Sequence, residues 1–172
     1  MSRRKCCHRG SRVVQCPVAR RYLHHRRGGI VTDDNALIER SGEAYRHCFG
    51  CGTENPIGLH LQFRREDGGA RAEFRPRPEH QGWDGVLHGG IVLTLLDETL
   101  AYAAMFAVGP AVTAEIHARL RRPAPLDQTY TLFGTVAKAR LGLVQAHASI
   151  TDRAGQLIAE ADGKFMVTEK TG

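Results

Sequence analysis

Two adjacent carboxylates lie in the most apolar segment of this chain. Residues 87–104 read LHGGIVLTLLDETLAYAA, and Asp97 and Glu98 lie in the middle of this run. The run has the composition of a buried helix, in which an unpaired carboxylate is costly to desolvate. Carboxylates in such positions are common at functional sites, where they act as bases or nucleophiles. The alternative is that one of the two lies on an exposed edge of the helix.

The start of the same segment has the features of a site for negative charge. Gly89 and Gly90 leave first-turn N–H groups unobstructed, and a helix N-terminus favours developing negative charge. A carboxylate and an oxyanion site together suit acyl transfer. Gly89 and Asp97 are eight residues apart, which is about 12 Å along a helix, so one carbonyl cannot reach both in one chain. Two antiparallel helices at a two-fold axis would solve this, which predicts a dimer with shared sites.

The elements that must hold these groups follow from the periodicity. Alternation predicts a hairpin of two strands, LHLQF and ARAEFRP, around a turn at residues 67–69. The helix is expected from about His88 to Ala107, before Gly109 and Pro110. Four strand-like stretches follow, at residues 111–122, 129–140, 143–152 and 156–167. A sheet that curls around the helix is the economical packing, so we predict an α+β fold with about five to six strands.

Charge divides the 172 residues into two parts. Residues 1–40 hold ten Lys or Arg against three Asp or Glu, a net charge of +7, whereas residues 41–172 hold fourteen against fifteen, a net charge of −1. The first part has no helical or strand period, so we expect a basic, disordered N-terminal extension. It could be a targeting segment, an extension from an upstream start codon, or an arm for an anionic surface. Residues 41–172 are predicted to be the single folded domain, for which no nucleic-acid partner is expected.

The cysteines and the apolar run favour a cytoplasmic protein. Five cysteines, an odd number clustered toward the N-terminus, do not form a disulfide framework. No membrane span is expected, because Asp97 and Glu98 interrupt the only candidate.

The stretch HCFGCG has three interpretations. It could be a turn, a zinc site with His47, Cys48, Cys51 and His60 as ligands, or a redox pair. A lone C-x-x-C lacks the second ligand pair of a convincing structural zinc site, which favours the turn. We therefore expect neither a metal nor a cofactor.

The motifs carry a family resemblance over residues 46–168. The stretch L-H-G-G-I-V-L-T-L-L-D-E-T and the later A-V-T-A-E-I-H-A-R-L-R-R-P-A-P-L resemble the hotdog-fold acyl-CoA thioesterases of the PaaI-like, phenylacetate-degradation type. The resemblance implies a hotdog fold, with a long central helix wrapped by a curved antiparallel sheet. It also implies hydrolysis of an acyl- or aryl-acyl-CoA without a cofactor, by a homodimer or a dimer of dimers.

The resemblance assigns roles to residues at the matching positions. Asp97 matches the general base or nucleophile, and the Gly89 amide matches the donor that polarises the thioester carbonyl. Thr113 matches the Ser or Thr that steadies the nucleophile or its water. His88, at the helix mouth, is interpreted as a helix cap or a substrate contact in preference to a base. Gly90 is expected to contribute to substrate binding beside Gly89.

One position departs from the family pattern. Gly82 stands where some members place an Asn near the attacking water, so His80 or Gln81 would have to bind there instead. This departure keeps a second class of function open, namely a hotdog module that binds acyl-CoA or lipid without hydrolysing it. A third class, a zinc-stabilised or nucleic-acid-interacting protein, rests only on the C-x-x-C stretch and the basic extension.

Basic residues are expected at the pocket mouth because CoA carries phosphates. Arg121, Arg122 and Arg140 lie near predicted strand ends, where they could contact those phosphates. The alternative for each of them is an ordinary solvated charge.

Overall fold

The computed structural model describes residues 45–168. The predicted basic extension, residues 1–40, lies outside the described residues. The described part contains one long helix, and its elements are, in chain order, β1 (Arg64–Glu66), β2 (Gly69–Phe74), a short 3-10 helix (Pro78–His80), α1 (Gly89–Val108), β3 (Ala111–Leu120), β4 (Tyr130–Arg140), β5 (Leu143–Thr151) and β6 (Leu157–Val167). The helix begins and ends within one residue of its predicted bounds.

The six strands form one antiparallel sheet that packs on α1. Their order across the sheet is β1-β2-β4-β5-β6-β3, and α1 contacts every strand from β2 to β6. The predicted α+β class, with a long helix against an antiparallel sheet, is confirmed. Because β3 is last in the order, it has a neighbouring strand on one side only among the residues that the structure describes. The strand that follows the helix is therefore an edge strand.

One face of α1 supplies much of the core. Leu95, Leu96 and Leu100 are fully buried, and Leu132 and Phe165 are among the fully buried side chains on the strands. Close approach between helix and sheet depends on Gly134 in β4, where an added Cβ would lie 2.8 Å from the backbone oxygen of Thr99. The sheet therefore sets the rotation of α1, and with it the directions in which Asp97 and Glu98 point.

The predicted first strand needs a correction. Residues 59–63 alternate between buried and exposed as predicted, but the ladder of β1 begins only at Arg64. The Leu59 and Leu61 N–H groups donate instead to the backbone oxygens of Phe49 and Gly50. His60 between them has a positive φ of 54°, which interrupts an extended strand. The segment pairs with the preceding turn, so alternation identified its burial correctly but not its partner.

The argument against a membrane span also needs a correction. By length and composition alone, α1 is apolar enough to cross a bilayer, despite Asp97 and Glu98. In the structure the helix lies across five strands, and its buried residues include Val92, Leu96 and Leu100. The packing against the sheet accounts for the apolar composition.

Candidate active site

Asp97 lies on α1 beside the edge strand β3. It is half-buried, and Leu93 and Gly90, on the same side of the helix, are exposed. The Thr113 hydroxyl, on β3, donates a hydrogen bond of 2.8 Å to Asp97 Oδ1. The register of β3 against β6 shifts between Thr113 and Glu115, which marks a bulge. Bulges re-aim side chains, and the bulge here adjoins the residue that contacts Asp97.

A groove between α1 and β3 gives access to this carboxylate. Its volume is about 510 Å³, and it is lined by Leu93, Thr94, Asp97, Ile116 and Ala118. The walls are largely apolar, so Asp97 and Thr94 are the polar groups that a ligand in the groove would meet. In such a groove an acyl chain could pack on the apolar side chains while its carbonyl group lies near Asp97.

The mouth of α1 is organised by His88. His88 is the N-cap of the helix, and its Nδ1 accepts a hydrogen bond of 2.9 Å from the Gly90 N–H. The capping interpretation of His88 agrees with this geometry. The expectation of an open amide at Gly90 is wrong, because that N–H is already bonded. Within residues 45–168, the Gly89 N–H has no hydrogen-bond acceptor, so it is the first-turn donor that remains for a ligand.

Gly89 lines a second depression that is separate from the groove. This depression measures about 320 Å³ and contains Gly89, Leu120, Arg121 and Arg122 in its wall. It has no lining residue in common with the groove that contains Asp97. Within one protomer the carboxylate and the free amide therefore face different cavities, as their eight-residue spacing on the helix predicts.

The three arginines do not form one cluster. Arg121 and Arg122 lie at the helix mouth, where Arg121 pairs with Glu160 and Arg122 donates to Gln156. Arg140 is opposite Leu143 in the β4–β5 hairpin. Leu143 pairs with Met166, near the end of β6, so Arg140 lies by that end. Arg121 lies by the start of β6, where its N–H donates to the Ile158 carbonyl. Within a protomer, Arg121 and Arg122 thus lie by the Gly89 depression, and Arg140 lies away from them.

The loop before α1 holds His80 in a structural position. His80 is buried and stacks on Phe74, and both of its ring nitrogens are within hydrogen-bond distance of Arg77. Burial and the Arg77 charge lower the pKa of His80. The His80 carbonyl accepts from the His88 N–H at 2.9 Å, which fixes the approach to the helix. The expectation that His80 contacts substrate is not supported, because the ring is occupied inside the protein.

Gln81 and Gly82 are exposed on the same loop. Gln81 Oε1 accepts from the Gly85 N–H at 3.3 Å, so its carbonyl end stabilises the loop. An added Cβ at Gly82 would lie 3.1 Å from His88 Cδ2. A side chain at Gly82 would therefore press on the ring that caps the helix, which gives a local reason for glycine here.

Glu98 lies away from the groove, against the turn that precedes β1. The Cys48 thiol donates to Glu98 Oε1 at 3.3 Å. Burial raises the pKa of Glu98, and burial also raises the pKa of the Cys51 thiol. Residues 45–54 form turns, as predicted for HCFGCG. Sequence reasoning missed the contact with Glu98, because the two partners are 50 residues apart and no local pattern connects them.

Neither predicted histidine ligand joins the two cysteines. His60 Nδ1 lies 2.8 Å from the Gly52 backbone oxygen, and His47 is exposed, with its Nε2 3.8 Å from a Glu54 oxygen. The proposed ligand set of His47, Cys48, Cys51 and His60 is therefore wrong.

Comparison with known proteins shows a family match for the central segment and similar folds among solved structures. The family model described as the thioesterase superfamily matches residues 84–159, which include α1, β3, β4 and β5. A crystal structure of RHA08564, a thioesterase superfamily protein, has 23% sequence identity and a TM-score of 0.67, and the match covers 84% of this chain and 87% of that one.

Two further solved structures have the same fold. The E. coli PaaI protein from the phenylacetic acid degradation operon is 18% identical with a TM-score of 0.67, over 79% of this chain and 96% of that chain. The smu.793 protein of Streptococcus mutans, solved with bound acetyl CoA, is 19% identical with a TM-score of 0.60, over 65% and 91%. At these identities the likeness establishes the fold. The chain thus has a hotdog fold like that of these proteins, and its residues 84–159 match the thioesterase superfamily model.

Proposed function

We propose that this protein is an acyl-CoA thioesterase, which hydrolyses the thioester bond of an acyl- or aryl-acyl-CoA to the free acid and CoA. The observation that carries the proposal is the carboxylate of Asp97, held by Thr113 at 2.8 Å in an open, mostly apolar groove. The match of residues 84–159 to the thioesterase superfamily supports thioester hydrolysis as the reaction class.

The proposed chemistry assigns two groups to one carbonyl. Asp97 acts in one of two ways: as a base it takes a proton from the water that attacks the thioester carbon, and the C–S bond then breaks to release CoA as the thiol. As a nucleophile it bonds to the thioester carbon while the C–S bond breaks, and a water molecule then hydrolyses the resulting anhydride to the free acid and restores the Asp97 carboxylate. The Gly89 N–H donates to the carbonyl oxygen as negative charge develops there, assisted by the dipole of α1. Thr113 acts as a positioning residue, because its hydrogen bond fixes one carboxylate oxygen and leaves the other for the reaction.

The two groups come together only if two copies share a site. In one protomer Gly89 and Asp97 line separate cavities. The surface around them is suited to a second copy, because Leu93 on α1 is 45% exposed and Val112 and Leu120 on the edge strand are 55% and 49% exposed. Two antiparallel α1 helices would place Gly89 of one copy across from Asp97 of the other, twice per dimer.

The CoA part of the substrate is inferred from charge and from one relative. Arg121 and Arg122 lie in the wall of the depression that holds Gly89, where guanidinium groups could bind phosphates. The S. mutans relative was solved with acetyl CoA, which supports the same class of ligand here.

The alternative is a hotdog module that binds acyl-CoA or lipid without hydrolysis. Gly82 favours it, because this position carries no side chain to hold the attacking water.

A thiol-release assay with a panel of acyl- and aryl-acyl-CoAs decides between the two. The wild type should release CoA from at least one member of the panel, and Asp97→Ala should not. Binding without release by both proteins would support the module, and equal release by both would remove Asp97 from its proposed role.

Complementation tests the sharing of sites between chains. Asp97→Ala removes the carboxylate, and Gly89→Pro removes the amide donor. Proline is tolerated at the first position of a helix, and the extended backbone of His88 suits a residue before proline. Each variant alone should be inactive, whereas heterodimers of the two should regain activity, since one of their two sites is intact. Gly89→Ala is the matched control, because it keeps the N–H and its Cβ would lie 3.5 Å from Leu120 Cδ2, an ordinary contact. Verified heterodimers without activity would contradict the shared site.

A further inference from the structure

Three side chains that the proposed thioester chemistry does not use meet where α1 contacts the turn before β1. Cys48 and Cys51 lie in the turn before β1, and Glu98 lies on the helix. One ligand atom from each, the two sulfurs and a carboxylate oxygen, lies within 4.8 Å of the others. All three residues are partly buried. Two thiols and a carboxylate in such a cluster are ligand types that zinc accepts.

The separations are close to those of a tetrahedral zinc site. With Zn–S bonds of about 2.3 Å and Zn–O bonds of about 2.0 Å, tetrahedral geometry places a sulfur and an oxygen about 3.5 Å apart. The Cys48 Sγ to Glu98 Oε1 distance is 3.3 Å. By the same geometry two sulfurs lie about 3.8 Å apart, which is within the 4.8 Å limit that this cluster satisfies. These separations are compatible with one zinc ion bound by all three side chains.

The backbone between the two cysteines is fitted to the helix. An added Cβ at Gly50 would lie 2.3 Å from Glu98 Cγ, so a side chain there would displace the carboxylate. The turn is also held by its own hydrogen bonds, from the Gly52 N–H to the Cys48 oxygen and from the Leu59 N–H to the Phe49 oxygen. The sulfurs are thus presented to Glu98 by a fixed loop.

The surroundings favour a bound cation over a redox pair. Reactive cysteines lie beside positive charge or a helix N-terminus, which stabilises the thiolate. The side chains bonded to these two sulfurs in the described structure are Glu98 and Tyr102, and neither carries positive charge. A divalent cation would supply the positive charge that the cluster lacks.

We propose that Cys48, Cys51 and Glu98 bind one zinc ion, with water or the Tyr102 hydroxyl as the fourth ligand, and that the ion fastens the N-terminal turn to the central helix. The site is structural, and its face of α1 is turned about 100° from that of Asp97. It does not depend on the proposed thioesterase activity, and its test has readouts other than turnover.

The experiment measures metal in the full chain after competing thiols are removed. Cys6, Cys7 and Cys16 are replaced by serine, which leaves Cys48 and Cys51 as the only cysteines. Protein purified without chelator should contain one zinc ion per chain by mass spectrometry. Cobalt in place of zinc should give the near-ultraviolet charge-transfer absorption of thiolate ligands. Cys48→Ser and Glu98→Gln should each lower the zinc content, whereas Glu54→Gln, on the same turn but paired with Arg46, should not.

Thermal stability provides a second measurement that needs no ligand variant. Removal of zinc with a chelator should lower the melting temperature, and zinc but not magnesium should restore it. Zinc well below one per chain after incubation with zinc would overturn the proposal. A melting temperature that does not change when zinc is removed would overturn the fastening role. Zinc retained at full content in Cys48→Ser would show that the ion binds elsewhere, and a stable Cys48–Cys51 disulfide that excludes zinc would identify a redox pair instead.

Discussion

Asp97 and Glu98 are neighbours in sequence with different surroundings. One step along a helix is a rotation of about 100°, which is enough to turn one carboxylate into the groove and the other toward the N-terminal turn. Asp97 accepts from Thr113, and Glu98 accepts from Cys48. The two residues therefore have separable roles, and substitutions can distinguish them.

Asp97→Asn should reduce kcat by at least about 100-fold, because an amide neither attacks a thioester nor takes a proton from water. The size of the side chain and its hydrogen bond with Thr113 are largely kept, so acyl-CoA binding should change little. Steady-state kinetics and isothermal titration with an active acyl-CoA measure the two effects separately.

Two controls accompany this variant. Asp162→Asn replaces an exposed carboxylate on β6 that pairs with His147, and it should keep wild-type turnover. Glu98→Gln should keep far more turnover than Asp97→Asn. The reverse ranking would identify Glu98 as the reacting carboxylate and contradict the proposed site.

Thr113→Val should lower kcat with a smaller change in KM, because it removes the hydrogen bond that orients Asp97. A hydrogen bond to a charged group contributes about 1.5 to 3 kcal/mol, which corresponds to a loss of roughly tenfold or more. Thr113→Ser keeps the hydroxyl and should recover most of the rate. If serine is as slow as valine, the methyl group of Thr113 matters and the hydrogen bond does not.

Residue types and spacing were sufficient to select Asp97 and Gly89 as candidates, and the family resemblance added Thr113. The 2.8 Å contact between Thr113 and Asp97 agrees with the expected pairing, while their catalytic roles stay predictions. The partner of Glu98 was not predictable, because it depends on how a distant turn packs on the helix. His80 shows the same limit, since its burial against Phe74 comes from tertiary packing.

At the level of elements, the capping of α1 gives a test for His88. Asn is a good N-cap residue and Ala is a poor one, with a typical difference of about 1 kcal/mol. His88→Ala should therefore lower both the melting temperature and the activity, whereas His88→Asn should restore much of both. Thermal unfolding and thiol release on the two variants check this. A fully inactive but stable His88→Asn would instead support a direct chemical role for the imidazole.

Periodicity predicted α1 and the four strands after it, because their alternation reflects burial against a single core. It did not predict the backbone hydrogen-bond partners of residues 59–63, since the side-chain pattern reports burial and does not identify those partners. The position of Arg140 relative to Arg121 and Arg122 was not predictable for a similar reason. Strand ends are visible in sequence, but the end of the sheet at which each one lies follows from the strand order β1-β2-β4-β5-β6-β3.

At the level of the whole molecule, the proposed shared site predicts a dimer or larger assembly. Sedimentation at micromolar concentration should show at least two chains, and activity should follow the associated fraction. A monomer with full activity would contradict the shared site, whatever the effect of Asp97 substitutions.

Residues 1–40 are predicted to be dispensable for folding and turnover, because they contain the excess positive charge and have no apolar period to bury. A protein that begins at Ser41 should keep the melting temperature and kcat of the full chain within experimental error. Insolubility of the shorter protein would show that the extension packs on the folded domain.

The position of β3 at the end of the sheet affects the solubility of the protein at low protein concentration. Within residues 45–168, this strand of ten residues has a hydrogen-bonding neighbour on one side only, and Val112 and Leu120 on it are exposed. An open strand of this length is a template for any other extended chain. Two copies that pair there would protect each other, whereas a monomer released by dilution would be prone to aggregate. Dilution should therefore cause an irreversible loss of soluble protein, so a minimum concentration would be needed to keep this protein in solution.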